Sequence, residues 1–467
     1  MDRRTALKTM AASGAFIHDA KSALPKLSSK KVIVAGAGIA GLSCAYELLK
    51  RQIDVVLLEA SGRSGGHILT IHDRLADGLY ADAGAEHFYR PGYDSLWKYI
   101  DELQLSVIAY PRRRNLLRAI NNRLYSPEDL SRPAVLKGLG FNQREIKFLA
   151  VHSWGELPSL YYGPYLDHFP SEDRPFNANL NHLDTLTTRQ FLASEGASSA
   201  AIAEIGGSES ALQALWHAAI RRKRNMAWLE VNLFRIRGGN QRLTDALASR
   251  VGAKLRLNCP ISAIEHSGNS VRVKYLEMGR PKTEEADYLV TCMPLATLRQ
   301  VHVTPNWPAA KRYVIDNLPY NTHVRVIFQS RSRFWEKDNV SPNIYFREAG
   351  LQMVWAMAEE VRTPRGILVG DAEVTTPDVV TALFRRRYPG KSEDIEQSLV
   401  VDWTTDRWAM TCIPTTLPPG VLSKYWPEII QPCGRIHFAG VYADNYPFGM
   451  ESAVRSAHRV VRKIQAA

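Results

Sequence analysis

Gly36, Gly38 and Gly41 stand where an apolar run gives way to a helical pattern, a spacing suited to holding a pyrophosphate. Gly36 permits a tight turn, Gly38 lets the backbone approach a phosphate, and Gly41 lets helix and strand pack closely. The helix that opens beside Ala40 offers free N–H groups and a partial positive charge. Glu59 closes the next apolar run, where a carboxylate accepts both ribose hydroxyls of an adenosine and repels a 2′-phosphate. The elements that must position these groups are legible too. Lys31–Ala35 (KVIVA) and Asp54–Leu58 (DVVLL) are short and β-branched, the pattern of buried parallel strands. Leu42, Ala45, Leu48 and Leu49 recur at helical spacing between them. Strand, helix and strand make a βαβ unit with a right-handed crossover. The reading is a dinucleotide site; the plain alternative is a glycine-rich turn in an ordinary α/β domain.

Further along, Glu59-Ala60-Ser61-Gly62-Arg63-Ser64-Gly65-Gly66 adds a second glycine pair, and Asp82-Ala83-Gly84-Ala85-Glu86 follows. Gly238-Gly239 precedes a helix. Tyr288–Pro294 (YLVTCMP), Arg435–Gly440 (RIHFAG) and Gly449-Met450-Glu451-Ser452-Ala453 complete the set. Together these motifs resemble the flavin-dependent amine oxidase family, which includes monoamine oxidases and L-amino-acid oxidases. The resemblance runs through nearly all of the chain after residue 30. It implies an α/β fold: a Rossmann-like, GR2-type FAD-binding domain and a second, substrate domain of mixed sheet and helices. It implies FAD along Arg63, Gly65, Gly66, Gly84, Ala85 and Glu86, with Ile261 at the adenine. Gly440, Met450 and Ala453 would lie at the closing helix, whose N-terminus would face the flavin carbonyls. His67 stands where the family usually has arginine.

The same resemblance points to residues at the reacting end. Aligning Pro319–Val324 places Arg325 where the family often has a lysine that supports reaction with oxygen; the alternative is a solvent-facing arginine on an edge strand. Cys412 precedes Pro418-Pro419-Gly420 at the spacing of the cysteine that monoamine oxidases link to their flavin, so a thioether is an open alternative to non-covalent FAD. The aromatic pair of those enzymes falls on Ile413 and Gly449, neither of them aromatic. Trp403, Trp408, Tyr442, Tyr446 and Phe448 could rebuild an aromatic wall, and Tyr442 and Trp403 join Arg325 as catalytic candidates. Arg235 and Arg237 could hold a substrate carboxylate, or be surface charges.

Beyond the motifs, Val271–Tyr275 reads as a strand, and Ile315–Phe334 and Val354–Val369 alternate as antiparallel strands do. Strand Ile436–Ala439, a glycine and helix Met450–Ile464 close the chain. The expected FAD-binding domain joins 27–95, 228–300 and 400–467, and the substrate domain joins 96–227 and 301–399. A chain of 467 residues is long enough for two or three domains. The net charge of +12 comes in short clusters such as Arg112–Arg114, which suits a basic surface more than a nucleic-acid partner. No Cys/His cluster suggests a metal, and no apolar run spans a bilayer. Residues 1–26 resemble a twin-arginine signal at Arg3-Arg4, which would send the protein to the periplasm; read as a flexible terminus instead, they leave it cytoplasmic. The expected activity is FAD-dependent oxidation of an amine or amino-acid-like substrate to an imine, with molecular oxygen reduced to peroxide. A desaturase or dehydrogenase with another acceptor, and a non-catalytic flavin-binding accessory protein, are the alternatives. A homodimer is an open expectation.

Overall fold

The computed structural model describes residues 30–112, 115–228, 232–321, 324–337, 341–346, 350–387, 392–410 and 416–467. The twin-arginine segment, Cys412 and Ile413 lie outside the described residues.

The βαβ unit forms as its pattern requires. Lys31–Ala35 pairs in parallel with Asp54–Leu58 on one side and with Tyr288–Thr291 on the other. Leu255–Arg256 and Ile436–Phe438 extend the sheet at its two edges, again in parallel. All four residues of Tyr288–Thr291 are buried, which explains why this run carries no alternation. Helix Ile39–Lys50 packs against helix Gln241–Val251 and against the closing helix Gly449–Ala466. One large apolar core joins the sheet, these helices and the short helices between residues 133 and 223.

A second, seven-stranded sheet is built by other segments. Its order is Ile395–Asp402, Val324–Ser330, Gly366–Ala372, Leu351–Met357, Ile344–Phe346, Leu117–Ile120 and Arg123–Tyr125. Helix Pro377–Arg387 covers one side, with Phe328, Leu368, Val380 and Phe384 in a separate core. Smaller sheets link the two regions. Leu233–Ile236 pairs with both Phe88–Tyr89 and Val107–Ala109.

Two local expectations are corrected. The alternation from Ile315 does not begin a strand, because Ala309–Asn317 is helical with Val314 and Ile315 turned inward. Val324–Ser330 is not an edge strand; it pairs on both sides and all seven residues are buried.

Candidate active site

The glycine turn, the second glycine pair and the closing helix meet around one cavity of about 730 Å³, within the roughly 300–1,000 Å³ usual for ligand sites. At one wall, Gly36 holds φ +98°, a conformation that favours glycine. Gly38 opens helix Ile39–Lys50, and a Cβ built on it would meet nothing closer than Gly66 Cα at 3.9 Å. The space in front of it is cavity. Gly41 does not line that space; it lies behind, pressed on the carbonyl of Gly36. The Glu59 carboxylate is fixed from two sides. Its Oε2 accepts the Ala37 N–H at 2.6 Å, and its Oε1 accepts the Ser61 N–H and hydroxyl at 2.8 and 2.9 Å. Ala60, Arg63, Gly65, Gly66 and His67 continue this wall, and Arg63 donates to the carbonyls of Gly66 and Ile68. Ile261, with Cys259 and Pro260, lines the cavity too.

Ala40, Gly440, Tyr442, Gly449, Met450 and Ala453 also line it. Gly449 holds φ +58°, and a Cβ there would sit 2.2 Å from the Tyr93 hydroxyl oxygen. Tyr93 thus occupies the space that a side chain at position 449 would take, and with Phe448 it forms an aromatic wall. Glu451 turns away from the cavity. Its carboxylate accepts the Ser95 and Leu96 N–H groups at 3.0 and 2.8 Å, in the first turn of helix Asp94–Glu102. It ties the two helix starts together and matches the positive end of that dipole.

The most charged part of the wall is a cluster of four. Arg325 and Asp371 face each other across neighbouring strands, 3.0 Å apart. Glu86 pairs with Arg112 and lies 3.5 Å from Arg325. Both guanidinium groups stack on the buried Trp355 ring, at 3.6 and 4.9 Å. Glu86 and Arg325 are almost fully buried, while the Asp371 side chain keeps 27% of its exposure, within the cavity. Burial raises the Glu86 carboxyl, but Arg112 and then Arg325 overcome it and hold it down to about 2, against an ordinary value of 4.5. A depressed carboxylate stabilises the fold fully above its unfolded value and loses that contribution as pH falls through its folded value. Acid unfolding followed by circular dichroism is therefore expected to show stability draining between about pH 4.5 and 2. Glu86→Gln should flatten that part of the profile; an unchanged profile would assign the acid sensitivity elsewhere.

Several expected residues are placed differently. Arg325 is neither solvent-facing nor on an edge. Trp403 does not line the cavity; its indole packs at a tilt on His67 with ring centres 4.0 Å apart and donates to the Ala83 carbonyl at 2.9 Å, bracing two cavity loops from behind. Tyr446 is likewise outside the lining, whereas Trp408, Tyr442 and Phe448 are in it. Arg235 is buried, not a surface charge, but it is committed to Glu360 at 2.8 Å and does not line the cavity; Arg237 is exposed. Neither is placed to hold a substrate carboxylate. The sequence reading missed Tyr93, Arg112 and Asp371 as cavity residues. Asp371 left a trace, a carboxylate embedded in the apolar run Ile367–Ala372. Arg112 was hidden in an arginine cluster, and Tyr93 gave no signal.

A parallel sheet whose glycine turn, fixed Glu59 carboxylate and closing helix converge on one cavity is the architecture of a dinucleotide-binding protein. The chain belongs to the flavin-containing amine oxidoreductase family, whose model matches residues 39–465. It is 24% identical over 485 residues to an L-amino-acid oxidase of Pseudechis australis, covering 97% of this chain and 90% of that protein. An L-amino-acid oxidase of Naja atra is 25% identical, with 97% and 91% covered. Among solved structures it resembles putrescine oxidase bound to putrescine, with TM-score 0.79, 21% identity and 94% and 99% of the chains covered. Cyclohexylamine oxidase from Brevibacterium oxydans gives TM-score 0.72, 20% identity and 93% and 99%. The protein is an FAD-dependent amine oxidoreductase, and the cradle described above fits FAD. Gly36, Gly38 and Glu59 would hold its ADP half, and Gly440, Gly449 and Met450 would meet its ring end. No helix among the described residues is long and apolar enough to cross a membrane, and none of their Cys, His, Asp and Glu groupings could hold a metal.

Proposed function

We propose that the substrate is an α-amino acid, oxidised at the amino-bearing carbon to an imino acid, with oxygen as acceptor. The observation that carries this is the neutral cluster of Arg112, Arg325, Glu86 and Asp371 on the cavity wall. Two guanidinium groups beside two carboxylates suit a zwitterion better than a net cation or anion. Asp371, the most accessible member, would draw the substrate ammonium, and Arg112 and Arg325 would face the carboxylate with planar donor pairs. Trp355 keeps both forks flat, so little reorganisation is needed on binding. The L-amino-acid oxidases that match 97% of the chain support the same reading. The residues of this wall would hold FAD, which when bound would supply the hydride acceptor and the route of electrons to oxygen. The chain's own residues orient the Cα–H, exclude water and keep fixed positive charge at the reacting end, since arginine does not lose its proton at working pH.

Peroxide release from L-amino acids and from the matching amines without a carboxylate tests this directly. A site built around a carboxylate rejects the analogue lacking it, so the acids should exceed the amines by at least about 100-fold in kcat/KM. Equal rates for each pair would sink the amino-acid reading and leave a simple amine oxidase. We also propose that FAD is held without a covalent bond, supported by a cavity wall from Gly36 to Met450 that would line the dinucleotide along its length. Acid precipitation should leave the yellow colour in the supernatant. Colour that stays in the pellet of the wild type but not of Cys412→Ala would overturn this.

A further inference from the structure

Tyr93 and Gly449 fit each other at the start of the closing helix, and both line the main cavity. Gly449 is the first residue of helix Gly449–Ala466, and a Cβ on it would sit 2.2 Å from the Tyr93 hydroxyl oxygen and 3.3 Å from Cζ. The phenol therefore stands where an ordinary side chain at position 449 would stand. It is held there from several directions. Its ring packs at a tilt on Tyr89, with centres 4.6 Å apart, and meets Phe448 nearly edge to face at 6.5 Å. Its backbone immediately precedes helix Asp94–Glu102, whose Ser95 and Leu96 N–H groups donate to the Glu451 carboxylate. Glu451 belongs to the first turn of the closing helix. One carboxylate thus ties the backbone beside the phenol to the helix whose first glycine makes room for it.

We propose that Tyr93 is a specificity-determining residue: its phenol, in place of a side chain at position 449, closes this end of the cavity and limits how bulky a substrate side chain can be. This rests on the amino-acid oxidase reading. There the charged cluster of Arg112, Arg325, Glu86 and Asp371 takes the ammonium and the carboxylate. The substrate side chain then needs an uncharged stretch of wall. Every lining residue between Gly440 and Ala453 is uncharged. Phe448 is half-buried, while Tyr93 keeps only 2% of its exposure. Phe448 is thus the surface of this wall and Tyr93 its backing. A backing packed on two rings and clamped through its backbone resists displacement, because a filled interior has no slack to absorb it. A hydrophobic wall that fits or misfits by one methylene discriminates by about 10–200-fold. The position of the Tyr93 ring therefore sets a size limit.

The test uses FAD-loaded full-length protein and the ratio of kcat/KM for a bulky substrate, L-tryptophan, to that for a small one, L-alanine. This ratio is independent of how much of a preparation is folded, so a merely structural role does not move it. Tyr93→Ala should raise it by at least about tenfold, and Tyr93→Phe should keep it. In Gly449→Ala the new Cβ drives the phenol toward the open cavity, and the ratio should fall by at least about tenfold. Adding Tyr93→Phe removes the clashing oxygen and leaves Cζ at 3.3 Å, which a shift of a few tenths of an ångström relieves. The double variant should therefore regain most of the wild-type ratio, a non-additive pair. An unmoved ratio in Tyr93→Ala overturns the proposal, and so does a Gly449→Ala ratio that Tyr93→Phe fails to restore. Should Tyr93→Ala not fold, Tyr93→Leu takes its place with the same expected direction. A titration without turnover, reading the Kd of indolepropionate and of propionate from flavin absorbance, should show the same shifts. Failure of the amino-acid reading shows separately, as L-tryptophan doing no better than tryptamine. The size limit is then read on tryptamine against ethylamine in the same variants.

Discussion

Arg325→Leu should lower kcat/KM by about a thousandfold and stability by about 3 kcal/mol, read by peroxide assay and thermal unfolding. Two consequences add up. Removing the guanidinium leaves Asp371 without its 3.0 Å partner and strips Glu86 of one of its two arginine partners. Glu86 is almost fully buried, so its unmatched charge is costly, and its carboxyl moves up from about 2. The cavity wall also loses half of its positive charge in the cluster where the substrate carboxylate is proposed to bind. Arg325→Lys separates these consequences. A lysine keeps the charge but not the flat fork on Trp355, so most of the stability should return while activity stays depressed by about tenfold or more. A leucine variant within tenfold of wild type in kcat/KM would remove Arg325 from the reacting end.

Gly41→Ala should give a colourless, destabilised protein. A Cβ at this position would fall 1.8 Å from the Gly36 carbonyl oxygen and 3.0 Å from its carbon, both backbone atoms of the phosphate-facing turn. Neither can swing aside without moving helix Ile39–Lys50 off its strand, a displacement that costs about 3 kcal/mol or more. Gly38→Ala is the contrast. Its Cβ meets nothing closer than 3.9 Å in the protein and points into the cavity. That variant should keep a wild-type melting temperature without FAD and lose affinity for added FAD. If both glycines behaved alike, the division between a packing glycine and a cofactor-facing glycine would be wrong.

Legibility followed chain distance. Gly36 to Gly66 is a local unit, and its strands, helix and Glu59 were readable because each part is specified by its neighbours. The charged cluster was only half readable. Glu86 and Arg325 were reached through motif resemblance, but the register that sets Arg325 opposite Asp371 depends on pairing strands some forty residues apart. Arg112 reaches Glu86 only after Val107–Ala109 has found Leu233–Ile236. Trp403 and Trp408 sit five positions apart with the same chemistry, yet one braces the wall and the other lines it. Nothing in their spacing told them apart, since the turn after Asp402 decides which way each points. Arg235 reads from the sequence as a surface charge or a carboxylate holder, because its half-buried partner Glu360 is more than a hundred positions away.

The parallel sheet has a consequence for synthesis. Its central strand is the first among the described residues, yet that strand's second neighbour is Tyr288–Thr291 and the far edge is Ile436–Phe438. The helix that closes the cavity begins at Gly449. A ribosome must release almost the whole chain before the cofactor cradle can exist, so FAD is a ligand of the finished protein and not of its nascent half. Until then the apolar faces of the early strands wait without their partners, and the high sequence separation of these contacts makes closure slow. Shielding of those faces during synthesis thus bears on how much of the protein reaches a state that can take up FAD.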